Sequence, residues 1–315
     1  MFFELFSFIF LVIFILLGVA FVTLMERKVL GSIQIRLGPD KLGFEGFLQP
    51  FSDAIKLFFK EQNKLSMVNY FSYCMGPVIM LVISMVLWTL FPFSFFSKNM
   101  NLSIFLFFVI LSLSVYSGII SGWSSNCKYS FLGILRLIAQ TLSYEVSFAI
   151  ITLSFVYMIM SMSFTGFSKV QEYIWFFIFG VLMMMWFISS LAELNRTPFD
   201  FSEGESELVS GFNTEYMGAG FALIFMSEYM MILFMSMMFC LIFLGGYYFS
   251  MFFYMKFIFV VVMYIWVRGT LPRMRYDYLM SLTWKIFLPV SLNFLFFNFI
   301  MEGLNSLFVI FMNFS

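Results

Sequence analysis

The sequence predicts an all-α integral membrane protein of about eight transmembrane helices, with an interfacial amphipathic helix in the first loop. Three observations carry that prediction. The chain of 315 residues is 62% hydrophobic and only 11% charged, which is more apolar surface than one globular core can bury. Its apolar residues fall in runs of ~20, the length that crosses a bilayer as a helix. The runs are apolar on every side, whereas barrel strands alternate over ~10 residues. Inside lipid the backbone must satisfy its own hydrogen bonds, so helices follow.

The first run is 5–25. A loop of mixed polarity follows, with a turn expected at Gly38-Pro39, because that pair cannot continue a helix. Within this loop Phe47, Leu48, Phe51, Ile55, Phe58 and Phe59 recur at helical spacing, opposite Gln49, Ser52, Asp53, Lys56 and Lys60. That pattern predicts an amphipathic helix over about 45–61, too charged and too short to span, lying in the interface plane. Further spans are expected at 71–91, 102–121, 137–161, 173–192, 219–244, 251–267 and 286–312. An acidic loop, 192–216, separates the fifth span from the sixth. One integral membrane domain, 1–315, is the simplest organisation.

Basic residues set the expected orientation. Of the 17 Lys and Arg, all but Lys98, Lys169 and Lys256 fall in the first, third, fifth and seventh loops or at their edges. Lys and Arg favour the side from which insertion occurs. Both termini are therefore expected outside, with the acidic loop inside, against the basic bias of its neighbours.

Composition also excludes. With no histidine, imidazole ligation and imidazole proton transfer are unavailable. Cys74, Cys127 and Cys240 are far apart and form no C-x-x-C pair, so no metal or iron–sulfur site is expected in this chain. A net charge of zero offers nothing to nucleic acid.

The acids are the candidate chemistry. Residues 191–216 hold Glu193, Asp200, Glu203, Glu205, Glu207 and Glu215, six of the chain's 17 acids, with Arg196 as the one base. Clustered carboxylates in a low dielectric cannot all stay ionised, so some become proton carriers. The competing reading is a subunit interface in which they pair with a partner's arginines. Glu203 and Glu207 share a face if the segment is helical, and all three of 203, 205 and 207 share one if it is extended. Glu145 and Glu228 lie inside apolar spans that contain no internal base. An acid there costs about 2.5–3.5 kcal/mol on an insertion scale and is by default a functional candidate. The alternative is a structural acid satisfied by a local hydroxyl, Thr141 or Ser227. The expectation is that spans four and six face one another around a hydrated path, which Glu193 links to the acidic loop.

Five stretches, MERKVLGSIQIRLGPDKLGFEGFLQPFSDAIKLFFKE (25–61), GWSSNCKYSFLGILRLIAQTLSYEVS (122–147), LAELNRTPFDFSEGESELVSGFNTEY (191–216), FALIFMSEY (221–229) and WVRGTLPRMRYDYLM (266–280), together resemble the chain 1 family of NADH:ubiquinone oxidoreductase, respiratory complex I. The resemblance covers essentially the whole chain. It implies a multi-pass subunit of the mitochondrial inner membrane, with both termini towards the intermembrane space. It also implies that this chain and the hydrophilic quinone-module subunits together close a tunnel for ubiquinone, beside neighbouring membrane-arm subunits and lipid. NADH, FMN and the iron–sulfur clusters would belong to partner subunits, and this chain would bind no cofactor of its own. The tunnel would be lined by Arg27, Arg36, Asp53, Arg196, Arg273, Arg275 and Asp277. For Arg27 and Arg36, interfacial snorkelling is the plainer alternative.

Other classes also need intramembrane acids. An ion-coupled secondary transporter would show matched halves and helices broken at mid-span, and neither is visible. The membrane subunit of an energy-converting hydrogenase would share motifs without reducing quinone. A passive scaffold would leave the acids unexplained.

Overall fold

In the computed structural model, residues 2–62, 66–92, 100–171, 175, 178–245, 247–248 and 250–314 are described, and every regular element among them is helical. The helices are α1 (Phe2–Ile33), α2 (Gln49–Phe59), α3 (Tyr70–Trp88), α4 (Ser103–Ser124), α5 (Lys128–Ile159), α6 (Phe164–Val170), α7 (Gly180–Glu193), α8 (Glu205–Leu208), α9 (Ala219–Phe243), α10 (Met251–Thr270), α11 (Tyr276–Leu282) and α12 (Leu288–Phe314). Among the described residues, seven helical segments are long and apolar enough to cross a membrane, and α7 is a shorter apolar helix. At 14 residues, α7 rises about 21 Å, short of a ~30 Å hydrocarbon core. The expected span 173–192 begins among residues that lie partly outside the described ones, as do Lys64 and Lys98 of the charge asymmetry.

The bundle is built around α9. Its most apolar stretch is 72% buried inside the chain, against 22% for α1. Helix α9 packs on α3, α10 and α1, while α5 packs on α12, α4 and α7. A helix apolar on all sides belongs at the centre, and Met230, Phe234, Met235, Cys240, Leu241 and Phe243 of α9 are fully buried there. The α3–α4 contact needs Gly76, because a Cβ at that position would stand 2.8 Å from Ser121 Cβ. Small residues let membrane helices approach closely.

Several helix limits differ from the sequence expectation, and each difference bears on the site. The first helix runs on from residue 25 to Ile33, which brings Glu26 and Arg27 into it. Helix α5 starts at Lys128 rather than 137, so Lys128 and Arg136 ride on its first turns. Apolarity marks only where lipid begins, whereas backbone hydrogen bonding carries a helix on into the interface. The amphipathic helix is shorter than 45–61, because Glu45 (φ 51°) and Gly46 (φ 79°) break the backbone before α2 and Pro50 sits in its first turn. The last span begins as α11, passes through a π turn at Thr283–Phe287 and continues as α12. Pro289 has no N–H to give the Lys285 carbonyl, and a widened turn accommodates that.

The acidic loop is neither one helix nor one strand. Gly204 (φ 41°) separates Glu203 from α8, and Val209 and Gly211 also have positive φ. A Cβ on Gly211 would fall 1.7 Å from the Ser202 carbonyl oxygen, so only glycine lets the loop fold back on residues 202–203. Glu203 and Glu207 consequently point to different surroundings, an arrangement that neither sequence alternative contained.

Candidate functional site

Four segments converge in the first half of α9, around Glu228 and Tyr229. Glu26 of α1 is 5% exposed. It accepts hydrogen bonds from the Tyr229 hydroxyl at 2.5 Å and from Arg268 of α10. Arg196, from the turn after α7, lies with Nη1 3.5 Å from Glu26 Oε1 and Nη2 3.9 Å from Glu228 Oε2. Its guanidinium stands 4.6 Å over the Tyr229 ring, a cation–π contact. Arg196 Nε and Nη2 are buried without a hydrogen-bond partner. The cation is thus shared between two carboxylates and hydrogen-bonded to neither.

The acidic loop closes over this group. Met274 N donates to the Pro198 carbonyl at 3.0 Å, and Arg273 pairs with Asp200 at 2.9 Å. Asn213 Nδ2 donates to Glu203 Oε1 at 3.2 Å. The buried amide of Gln140 on α5 donates to the carbonyls of Ala192 (2.8 Å) and Phe199 (2.7 Å), tying both ends of the turn around Arg196 to the bundle.

The loop's charges perturb one another. Burial pushes the Asp200 carboxyl up from its ordinary range, with Arg273 and Arg268 pulling back. Burial likewise raises Glu203; Arg196 opposes the shift and Asp200 reinforces it. Burial works against the charge on Arg196, but Tyr229, Glu26, Glu228 and Glu203 outweigh it and hold its pKa above the ordinary value.

A cavity of about 50 Å³ lies between α3, α4, α5 and α9. Glu193 and Glu228 both line it, with Thr141, Ser227 and Asn195. A site holding a water needs roughly 10–15 Å³ of such space and two or more polar partners, and this one has both. Thr141 Oγ1 donates to the carbonyls of Leu137 and Ile138, and Ser227 Oγ to that of Ile224. Both hydroxyls therefore spend their protons on their own helices rather than on the acids.

The other expected residues divide into groups. Glu145 is half-buried and forms no part of this cavity wall. Glu207 is exposed and pairs with Arg136 at 2.5 Å. The Glu215 carbonyl accepts from Tyr73 at 2.6 Å. Glu205 opens α8, and its side chain lies outside what the structure describes. Arg27 pairs with Asp53 across α1 and α2, and Gln49 Nε2 donates to Asp53 at 3.0 Å. Arg36 is exposed, and Arg275 and Asp277 form an exposed pair at 2.8 Å.

Three members of the central group were not anticipated: Glu26, Tyr229 and Arg268. Glu26 follows an apolar run and precedes Arg27-Lys28, so it reads as a solvated helix end. Yet Ile15, Val19, Val22 and Glu26 are all buried, and their spacing puts them on one face of α1. That face cannot be seen in a helix whose other residues are equally apolar. Arg268 sits within α10 and so belongs to the bundle rather than to the loop after it.

The protein-family model described as "NADH dehydrogenase" matches residues 6–299. The chain is similar to "NADH-ubiquinone oxidoreductase chain 1" of Anopheles gambiae, 54% identical over 288 residues that cover 91% of this chain and 92% of the relative. The same-named protein of Aedes aegypti is 55% identical over 288 residues, 91% of this chain and 92% of its own length. That of Locusta migratoria is 55% identical over 292 residues, 92% of this chain and 93% of its own length.

Proposed function

The chain belongs to the NADH dehydrogenase family, as a membrane subunit of NADH:ubiquinone oxidoreductase, and on that premise we propose that its charged cluster couples quinone reduction to proton movement. The secondary-transporter and hydrogenase readings give way to this membership. The reading includes a seat in the mitochondrial inner membrane with both termini outward. It gives ubiquinone as substrate, and FMN and iron–sulfur clusters in partner subunits. Arg27, Asp53, Arg196 and Arg273 would face the quinone passage, together with Arg36, Arg275 and Asp277 at the surface.

One observation carries the mechanism: Arg196 stands between Glu26 and Glu228, and Glu228 shares a water-sized cavity with Glu193. Reduction of a quinone to a quinol takes up two protons and two electrons, and so changes the field at nearby charges. In this reading Asp200 and Glu203 respond first. Burial raises both above the ordinary carboxylate range, which favours their protonated forms. A change on Glu203 alters the balance that holds Arg196 between its two carboxylates. Movement of Arg196 towards Glu26 leaves Glu228 without its counter-charge, and Glu228 then takes a proton from the inner aqueous side by way of the acidic loop. Water in the cavity passes that proton to Glu193 at the end of α7, and Glu145 on α5 carries it onward to the membrane arm.

The test uses Glu228→Gln and Glu145→Gln, which keep size and remove titration. Both variants should assemble and reduce a hydrophilic acceptor normally, while protons translocated per NADH in reconstituted vesicles fall sharply. Unchanged translocation and unchanged quinone reduction in both variants would reduce these acids to structural hydrogen-bonding groups.

A further inference from the structure

We propose that the pocket between the first turns of α3 and α9 is a seat for one anionic phospholipid. The cavity measures about 270 Å³ and is separate from the charged cluster. Its wall includes Tyr70, Tyr73, Tyr216, Pro77, Val78 and Leu223, and no charged side chain among the described residues lines it. The polar ends of its aromatic walls are already engaged. Tyr73 donates to the Glu215 carbonyl at 2.6 Å, and Tyr216 to the Tyr73 carbonyl at 3.1 Å. Their rings stack with centroids 4.3 Å apart and planes 2° from parallel. What remains inside is mostly apolar, with Gln62 and Cys74 as its polar exceptions, and fits glycerol and acyl carbon rather than an ion.

Two further observations say what fills it. From the pocket, Phe71, Met75, Val78 and Val82 follow one another along α3, and all four are exposed. Their spacing makes one stripe on the helix, about 16 Å long, close to the ~15 Å hydrocarbon depth of one leaflet. An acyl chain that leaves the pocket along this stripe therefore runs through its own leaflet. At the other end α2 closes the rim, since a Cβ on Gly218 would lie 3.2 Å from the Lys60 carbonyl oxygen. Lys56 and Lys60, one helical turn apart, are exposed, and Gln62 joins the lining. The exposed Glu61 beside Lys60 offsets part of that charge, and the two ammonium groups at the membrane boundary still attract a phosphate. A quinone has no charge to offer them.

The wall carries its own reporter. Cys74 lines the pocket and is an exposed free thiol, whereas Cys127 lies outside the pocket and is half-buried. In the assembled complex, stripped of lipid with detergent, maleimide should alkylate Cys74, as read by peptide mass spectrometry with Cys127 as internal reference. Added phosphatidylglycerol should slow that reaction about tenfold when present at about ten times its dissociation constant. Phosphatidylcholine should need far more to do the same. A Lys56→Gln/Lys60→Gln variant should keep Cys74 reactive and erase the difference between the two lipids. Equal protection by both lipids, or none by either, overturns the proposal. Protection by a short-tailed ubiquinone as strong as by phosphatidylglycerol assigns the pocket to the quinone instead. A Cys74 that stays unreactive in the stripped complex assigns it to a neighbouring subunit.

Discussion

Glu26 and Glu207 are both acids paired with arginine, yet their surroundings separate them. Glu26 is buried among Arg268, Arg196 and Tyr229, whereas Glu207 is 62% exposed beside Arg136. Removing one partner of a buried pair costs about 3–5 kcal/mol, and an exposed pair is worth ~0–1 kcal/mol. Glu26→Gln should therefore lower the amount and thermal stability of assembled complex, as seen on native gels and by heat inactivation, while Glu207→Gln leaves both unchanged. Glu203 gives a pH dependence of defined sign. Burial raises its pKa above the ordinary 4.5, so the folded loop binds its proton more tightly than the unfolded chain does. This contribution to stability is complete below the ordinary value and is lost as pH rises through the folded value. Amide exchange over residues 200–213, corrected for its intrinsic rate, should show protection falling as pH rises through that window. The fall should flatten in Glu203→Gln, and a wild-type loop with flat protection would remove the perturbed carboxyl from the account.

At the scale of elements, α2 is fastened to α1 by chemistry as well as by apolar contact. Phe21 of α1 meets the rings of Phe47 and Phe51 edge-on, at 6.0 and 6.2 Å. Arg27 pairs with Asp53, which Gln49 also holds. The pair exists because α1 continues eight residues past the expected end of its span, which brings Arg27 alongside α2. Partial exposure of both side chains makes their removal mild for assembly. Asp53→Asn and Arg27→Ala should lower quinone reduction by roughly fivefold, or about 1 kcal/mol of barrier, with electron transfer from NADH to a hydrophilic acceptor intact. Equal loss of both activities would point to failed assembly instead. The amphipathic period of α2 was visible in sequence because polar residues mark its second face. The fold of the acidic loop was not, since Gly204, Val209 and Gly211 take left-handed conformations that split the run of glutamates into one half-buried and one exposed member.

For the whole molecule, the charge asymmetry and the bundle make one joint statement about sidedness. Arg196, Asp200 and Glu203 lie in the same loop group as Arg273, and α2 follows the loop-side end of α1. On the expectation drawn from the basic residues, all of these face the inner compartment. Thiol or protease labelling of the complex in sealed vesicles should find residues 195–215 on the inner side; labelling from the outside would reverse the topology and the direction of proton movement drawn from it.

The sequence by itself determined the class of the molecule, the amphipathic helix, and the acids worth examining. Each of these is a one-dimensional property: a run length, a period, or a charge where hydrocarbon should be. It could not decide which helices touch, because a span such as α9 is apolar on all sides and carries no periodic mark of its neighbours. Only the tertiary structure brought Glu26, Arg196, Glu228, Tyr229 and Arg268 together from four separated stretches of chain. The physical reason is that buried charges in an apolar bundle are tolerable only when they find one another, and packing in three dimensions settles which partner each one meets.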